Sequence, residues 1–436
     1  MKDKKDKKYT METHLIYGRA FTEKWDYNHH VVPPISSSTT FRLDSVERGA
    51  KGFSEFGNTC FLPDGEKPIY IYDRLGEPNK EILEENLALA EMGETAVTFA
   101  TGMGAISAIF GVLTQSGDEI ICHKTLYGCT FSLLNNWYPR YNIGVKKIDM
   151  TNLENLKNSI TDKTRVVYFE SPANPNLEII DITAVTNFVK EVNSKRDEKS
   201  QIKVAVDNTF ATPFCQRPIS LGVDFVIHSL TKNIGGFGTD MGGVVICPKK
   251  YRDVFMLYRK DFGAVLGSKS AWTIVVYGLT SLPLRLQKEI KSAGKVAEFL
   301  SNHPAISYVN YPGLPSFKFH ELAKKQMIDY EGNFAPGNML YFGIKGKDPE
   351  EGKANGKKIM DFIAESSYTI TLAVSLGHIR TLVEHPGSMS ASSPTLMLRL
   401  NLNGKLFSPP KIVETPCTKL LNWLSRVLFI ITGFIQ

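Results

Sequence analysis

One lysine stands among neighbours that suit covalent chemistry. Ser229-Leu230-Thr231-Lys232-Asn233-Ile234-Gly235-Gly236-Phe237-Gly238 follows an apolar run, Phe225-Val226-Ile227, that predicts a buried strand. An unpaired ammonium held at the end of such a strand is costly, so it tends to lose its proton or be used covalently. A lysine amine with a lowered pKa forms a Schiff base with a carbonyl cofactor. The hydroxyls of Ser229 and Thr231 suit a phosphate, and the glycines let a backbone approach closely. The combination fits pyridoxal phosphate (PLP). It also fits a helix start carrying a solvated lysine.

Other stretches have types suited to the same cofactor, each with a plainer alternative. Thr101-Gly102-Met103-Gly104 joins an expected strand, Ala96–Ala100, to an expected helix, Ala105–Leu113. Free N–H groups at such a turn attract an anion; the glycines serve equally for close packing of helix on sheet. Tyr70-Ile71-Tyr72-Asp73-Arg74 offers a phosphate-binding arginine beside a tyrosine, or a surface turn set by Gly76 and Pro78-Asn79. Asp207 ends the expected strand Lys203–Val206. A carboxylate there can keep a pyridine nitrogen protonated, so that the ring acts as an electron sink, or it can cap a turn. Tyr127 can stack on such a ring, and its phenol can act as acid or base.

The elements that must position these groups alternate between strand and helix. Strands are expected at 119–122, 166–170, 203–206, 225–227 and 244–246, with a helix at 184–192. This pattern predicts an α/β, mostly parallel, doubly wound sheet, with ligands outside the C-terminal strand ends. The Thr101–Gly104 turn, Glu170 and Asn174, Asp207 and Lys232 all fall at those ends, whereas the 244–246 strand runs away from them. After residue 260 the pattern shifts to helices at 270–279 and 284–300, then to a smaller α+β region. We expect an N-terminal arm over 1–60, a cofactor-binding domain over 61–285 and a smaller C-terminal domain over 286–436. The arm, rich in Pro, Ser and aromatics, is expected to lie across another surface, such as a partner subunit, without a core of its own.

The 436 residues suffice for a large core and a second domain, and the net charge of +6 is mild. Much of that charge sits in the first eight residues, which read as a solvated tail without the aromatics of a nucleic-acid surface. No apolar signal region follows, and Val427–Ile435 is too short to span a bilayer. The six cysteines include no Cys-x-x-Cys pair, which argues against zinc and disulfide frameworks and for a reducing cytoplasm.

Taken in order, Tyr72-Asp73-Arg74, Thr101-Gly102-Met103-Gly104, Glu170-Ser171-Pro172-Ala173-Asn174-Pro175, Asp207-Asn208-Thr209 and Ser229-Leu230-Thr231-Lys232 resemble the Cys/Met-metabolism family of PLP enzymes. The resemblance implies PLP-dependent transferase fold type I, the aspartate-aminotransferase-like fold, over about 60–390. It implies cofactor contacts from Tyr72, Arg74, Gly102, Met103, Tyr127, Asn174, Asp207, Thr209, Ser229, Thr231 and Lys232, with catalysis by Lys232 and Tyr127. In the family, Tyr72 and Arg74 reach a neighbouring subunit's phosphate, which implies a homotetramer of site-sharing dimers. Cys129, the Lys260-Asp261 pair and Ser375 within Ala373-Val374-Ser375-Leu376-Gly377 resemble the branch that eliminates from methionine. Arg399 resembles the family's carboxylate-binding arginine. Asn233 stands where an aromatic is usual and Phe237 where histidine is usual. Arg399 arrives about a helical segment early, and the tail from about 390 departs from the pattern.

The resemblance implies a carbon–sulfur lyase that takes L-methionine, a small sulfur amino acid, to methanethiol, 2-oxobutanoate and ammonia. Two alternatives stand beside it. One is γ-replacement on an O-acylhomoserine by a sulfur nucleophile, as in the sulfhydrylases and cystathionine γ-synthases. The other is an inactive or truncated PLP-binding paralogue.

Overall fold

The computed structural model describes residues 9–17, 30–57, 66–386 and the backbone of 396–399. The N-terminal lysine run, Cys60, Cys417 and the tail beyond Arg399 lie outside the described residues.

The apolar runs form strands β1 (Thr95–Phe99), β2 (Glu119–His123), β3 (Gly144–Ile148), β4 (Thr164–Glu170), β5 (Lys203–Asp207), β6 (Phe225–Ser229) and β7 (Gly243–Cys247). They make one sheet in the order β1-β7-β6-β5-β4-β2-β3. The pairs from β3 through β6 are parallel, and β7 is antiparallel to both neighbours, pointing away from the candidate groups as expected. The runs are continuously apolar because both sheet faces are covered. Val166 and Tyr168 of β4 enter one core while Val167 and Phe169 enter the other.

Helix Pro78–Ala90, which the turn-like reading of this stretch overlooked, packs Ile82, Leu83 and Leu87 into the core that holds Val167 and Phe169. Its start is fixed by Glu77, whose side chain accepts from the backbone N–H groups of Asn79 and Lys80.

A second sheet contains β8 (Ile306–Asn310), β9 (Met339–Ile344), β10 (Ile370–Leu372), β11 (Thr381–Glu384) and β12 (Leu396–Arg399) in the order β10-β11-β12-β9-β8. A long helix, Thr280–Asn302, ties the two sheets together. Its Leu282 and Leu286 belong to the core of Val167 and Phe169, and its Val296 and Leu300 to a separate core built with Leu340 and Phe342 of the second sheet. The two helices expected here are one run with Ser268–Thr273, joined by a π-helical turn at Ile274–Leu279. Pro283 explains the wide turn, because it offers no N–H to the carbonyl four residues earlier.

The N-terminal segment is more integrated than a bare arm. Helix Met11–Tyr17 sends Leu15, 0% exposed, into the main core. Further on, Ser36 N donates to Asn79 Oδ1 at 2.7 Å, and Trp272 Nε1 donates to the Pro33 carbonyl at 2.7 Å. The surface crossed by 33–36 therefore belongs to the same chain. Among the described residues, no helix is long and apolar enough to cross a membrane.

Candidate active site

β6 delivers Lys232 just past its end, and a tight turn follows in which Gly236 N donates to the Lys232 carbonyl at 2.9 Å. The Lys232 amine donates to Ser375 Oγ, which comes from the loop after β10. Ser375 has a φ of +83°, a conformation costly for a side-chain-bearing residue and characteristic of sites over-determined by their surroundings. Two residues on, Gly377 lies so close that a Cβ there would stand 2.0 Å from the Lys232 carbonyl carbon. The lysine is thus gripped between its own turn and a loop nearly 150 residues further on.

One strand over, β5 ends at Asp207. Thr209 links the two strand ends: its N–H donates to Asp207 Oδ1 at 3.0 Å, and its hydroxyl accepts from Ser229 N at 2.8 Å. Burial is the main force on the Asp207 carboxyl and pushes its pKa up. Glu170, the register partner of Asp207 on β4, is buried as well. Burial and then the Asp207 charge push the Glu170 carboxyl up to about 8.

Glu170 was placed at its strand end from sequence, but its role was not. Its carboxylate accepts from Tyr127 N at 2.6 Å and from Asn174 N at 3.3 Å, so it sets the backbone of both. The Tyr127 side chain is 40% exposed. A hydrogen bond with Cys129, then burial, raises its phenol to about 12. Tyr127 therefore carries its proton at neutral pH.

The anion-binding reading of Thr101–Gly104 has its geometry. Thr101 caps helix Gly102–Leu113, accepting from Gly104 N at 3.0 Å, and Gly102 lets the helix start meet the end of β6. A Cβ on Gly102 would stand 2.8 Å from Ser229 Cβ. The N-terminus of a helix of 12 residues thus abuts a serine hydroxyl, two features that suit a phosphate. Thr231 takes another course: its hydroxyl exchanges hydrogen bonds with the Gly242 carbonyl and N–H, at 3.3 and 3.1 Å. It also lines a cavity of about 370 Å³ with Ser375, Leu376, His378 and Arg380.

These positions fit PLP. A carboxylate whose charge is penalised by burial gains from a protonated ring nitrogen, and the helix start and Ser229 are at hand for the phosphate. Lys232 follows the end of β6, which Thr209 ties to Asp207 at the end of β5.

The remaining candidates gather elsewhere. Arg74 Nη1 donates to the Lys260 carbonyl at 2.7 Å, and its guanidinium lies 5.5 Å from the Tyr72 ring centroid. Lys260 pairs with Asp261 at 2.6 Å. Tyr72, Arg74 and Asp261 are exposed. Arg399 closes β12, in register with Leu382 and Met339; its side chain lies outside the described residues.

A fold with a lysine past one parallel strand and a carboxylate past the next defines a cofactor-dependent enzyme of the lysine–carbonyl class. Residues 12–403 match the family described as Cys/Met metabolism PLP-dependent enzyme, and the chain belongs to that family. It is 40% identical over 391 residues to the L-methionine gamma-lyase of Fusobacterium nucleatum subsp. polymorphum, covering 89% of this chain and 90% of that one. It is 35% identical to the cystathionine beta-lyase of Lactococcus lactis subsp. cremoris, covering 89% and 91%. Among solved structures it superposes on the metB protein of Corynebacterium glutamicum with a TM-score of 0.77 at 29% identity, covering 97% and 98%.

Proposed function

We propose that this chain is a PLP-dependent carbon–sulfur lyase that eliminates the γ-thiol group of L-methionine. Methionine and water would give methanethiol, 2-oxobutanoate and ammonia. The carrying observation is the 40% identity to a protein named L-methionine gamma-lyase over nearly the full length of both chains.

Bound PLP supplies an electron sink for charge developing at the substrate Cα. In this reading Asp207 keeps the ring nitrogen protonated, while Gly102, Met103 and Ser229 hold the phosphate, and Thr231, expected from sequence to join them, braces the Gly242 backbone instead. Thr209 braces Asp207 against the lysine strand, and Asn174, fixed by Glu170, lies beside the ring. The Lys232 amine removes the Cα proton. Ser375, which accepts from that amine, orients it. Tyr127, protonated at neutral pH, stacks on the ring and donates its proton to the departing sulfur. Cys129 contacts the thioether side of the substrate, and Arg399 takes the α-carboxylate.

Tyr72 and Arg74 serve the phosphate of a second copy, with Lys260 and Asp261 completing that copy's substrate wall. The enzyme is then a homotetramer of site-sharing dimers, working in the cytoplasm. The three-part division into arm, cofactor domain and C-terminal domain belongs to the same reading.

Purified protein supplied with PLP should release 2-oxobutanoate and methanethiol from L-methionine without added thiol. If methionine is inert while O-acetylhomoserine is consumed only when a thiol is present, the replacement reading takes its place. If both are inert in protein carrying PLP on Lys232, the chain is an inactive paralogue.

A further inference from the structure

Two positions in the lysine turn depart from the family pattern, Asn233 and Phe237, and the structure joins them to one buried polar network. Asn233 is 1% exposed, and its side chain pairs with Asn338, amide to amide, at 3.2 and 3.4 Å. Asn338 immediately precedes β9, and its Nδ2 donates to Glu289 Oε2 at 2.7 Å. Glu289 is 1% exposed on the long helix, one turn after Arg285. Arg285 Nη2 donates to the Ile234 carbonyl at 3.3 Å and to the Gly278 carbonyl at 2.8 Å. Its guanidinium also lies 5.6 Å from the Phe237 ring centroid.

Gly236 and Gly278 are needed for this arrangement. A Cβ on Gly236, whose φ is +74°, would stand 2.3 Å from Arg285 Cζ, and one on Gly278 would stand 2.5 Å from the Ile234 carbonyl oxygen. Buried carboxylates and guanidiniums are expensive unless paired, so such a network rigidifies what it touches only when its members are satisfied. What it touches here is the turn after Lys232. The attachments run to the long helix, which links the two sheets, and to the start of β9 in the second sheet.

We propose that Glu289 is a positioning residue which, through Asn338 and Asn233 and with Arg285 beside it, holds the Lys232 turn in its working geometry. An asparagine replaces the usual aromatic because it supplies the link to Asn338, and a phenylalanine at 237 offers Arg285 a ring face. The inference rests on Lys232 being the cofactor lysine.

The test uses Glu289→Leu, Glu289→Gln and Asn338→Leu in the full chain. In cofactor-free protein, amide hydrogen exchange of residues 233–238 should quicken about tenfold or more in the two leucine variants, with β4–β6 unchanged. Covalent loading of PLP onto Lys232, trapped by borohydride, should slow by about tenfold, and kcat should fall while KM for methionine moves less than about threefold. Glu289→Gln, which keeps an acceptor for Asn338, should stay within about threefold of the parent in each. Parent-like exchange and loading in folded Glu289→Leu would overturn the proposal. If the leucine variants do not fold, Asn233→Ser, which shortens the link without adding bulk, decides by the same exchange measurement. Failure of borohydride to trap PLP on Lys232 of the parent sinks the cofactor reading instead, and the exchange data on the cofactor-free chain still judge the network.

Discussion

The Lys232 region and the Tyr72–Arg74 region carry candidates for one phosphate-bearing cofactor, yet they are built in opposite ways. Lys232, Asp207, Thr209 and Glu170 gather at neighbouring strand ends: Lys232 donates to Ser375, Thr209 ties Asp207 to Ser229, and Glu170 accepts from the Tyr127 and Asn174 backbones. Arg74 and Tyr72 face outward, with the Lys260 carbonyl and each other for company. The exposed pair is nonetheless firmly anchored from beneath. Lys80, 0% exposed, donates from Nζ to Asp73 Oδ1 at 2.9 Å and to the Asp73 carbonyl, so the backbone between Tyr72 and Arg74 is fixed. A rigid base with an outward arginine suits delivery of that arginine to something outside the chain. The inward cluster suits chemistry on a bound molecule.

The sharpest way to break this contrast is at Lys232. Lys232→Ala should lose borohydride-trappable cofactor and cut 2-oxobutanoate release by roughly 10²–10⁴-fold, the usual worth of a proton-transfer group. Parent-rate turnover by the variant would show that the inward cluster is not the reactive one.

Arg74→Ala should weaken PLP retention by roughly tenfold to a hundredfold, since charge-assisted contacts to phosphate are strong. Mixed with Lys232→Ala, it should regain activity through hybrids that combine one intact Lys232 site with an intact Arg74. Hybrids demonstrated by native mass spectrometry but wholly inactive would confine Arg74 to its own chain. Lys80→Met should reproduce part of the Arg74 loss without changing the trapping of Lys232 once loaded.

Cys129→Gly should lower methionine turnover by about tenfold while O-acetylhomoserine turnover changes much less, one methyl-sized contact being at stake. It also removes the hydrogen bond that holds the Tyr127 phenol at about 12, so that phenol should move down toward its ordinary 10. An acid is lost as pH rises through its pKa, and the alkaline limb of the pH–rate profile should therefore shift to lower pH. An unmoved limb would remove Tyr127 as the proton donor.

The smallest effect is on stability of the cofactor-free chain, and both regions contribute. Burial lifts Glu170 from 4.5 to about 8 and Glu77, beside Lys80 and Asp73, from 4.5 to about 7. A carboxyl with a raised folded pKa binds more protons folded than unfolded, so stability falls as pH rises through each window. Melting temperature should decline between about pH 5 and 8. Glu170→Gln should flatten the decline up to pH 8, and Glu77→Gln only up to pH 7. A melting temperature that climbs over this range would contradict the burial of both carboxyls.

The inward cluster could be read from sequence because its members end apolar runs that leave little choice of element. A run such as Val166–Phe169 has to be a strand covered on both faces, and the residue that follows has to emerge at one sheet edge. Helix Pro78–Ala90 was missed because Gly76 and Pro78 mimic a turn, and a proline at the start of a helix looks the same as one in a loop. Lys80 was passed over for a similar reason: a lysine after a turn reads as solvated until burial places it under Asp73.

By itself the chain pointed to residues whose types suit the proposed chemistry and to the strand ends where they fall, because strand periodicity and the order of the motifs are read along the chain. The tertiary structure decided which of them meet. That Ser375 should accept from Lys232, that Glu170 should set Tyr127, and that Asn233 should be tied to Glu289 all join residues more than 40 positions apart. Such pairings follow from sheet order and from the long helix crossing between two cores. Neither leaves a periodic trace, because the free energy of burying a polar group depends on what else is buried beside it.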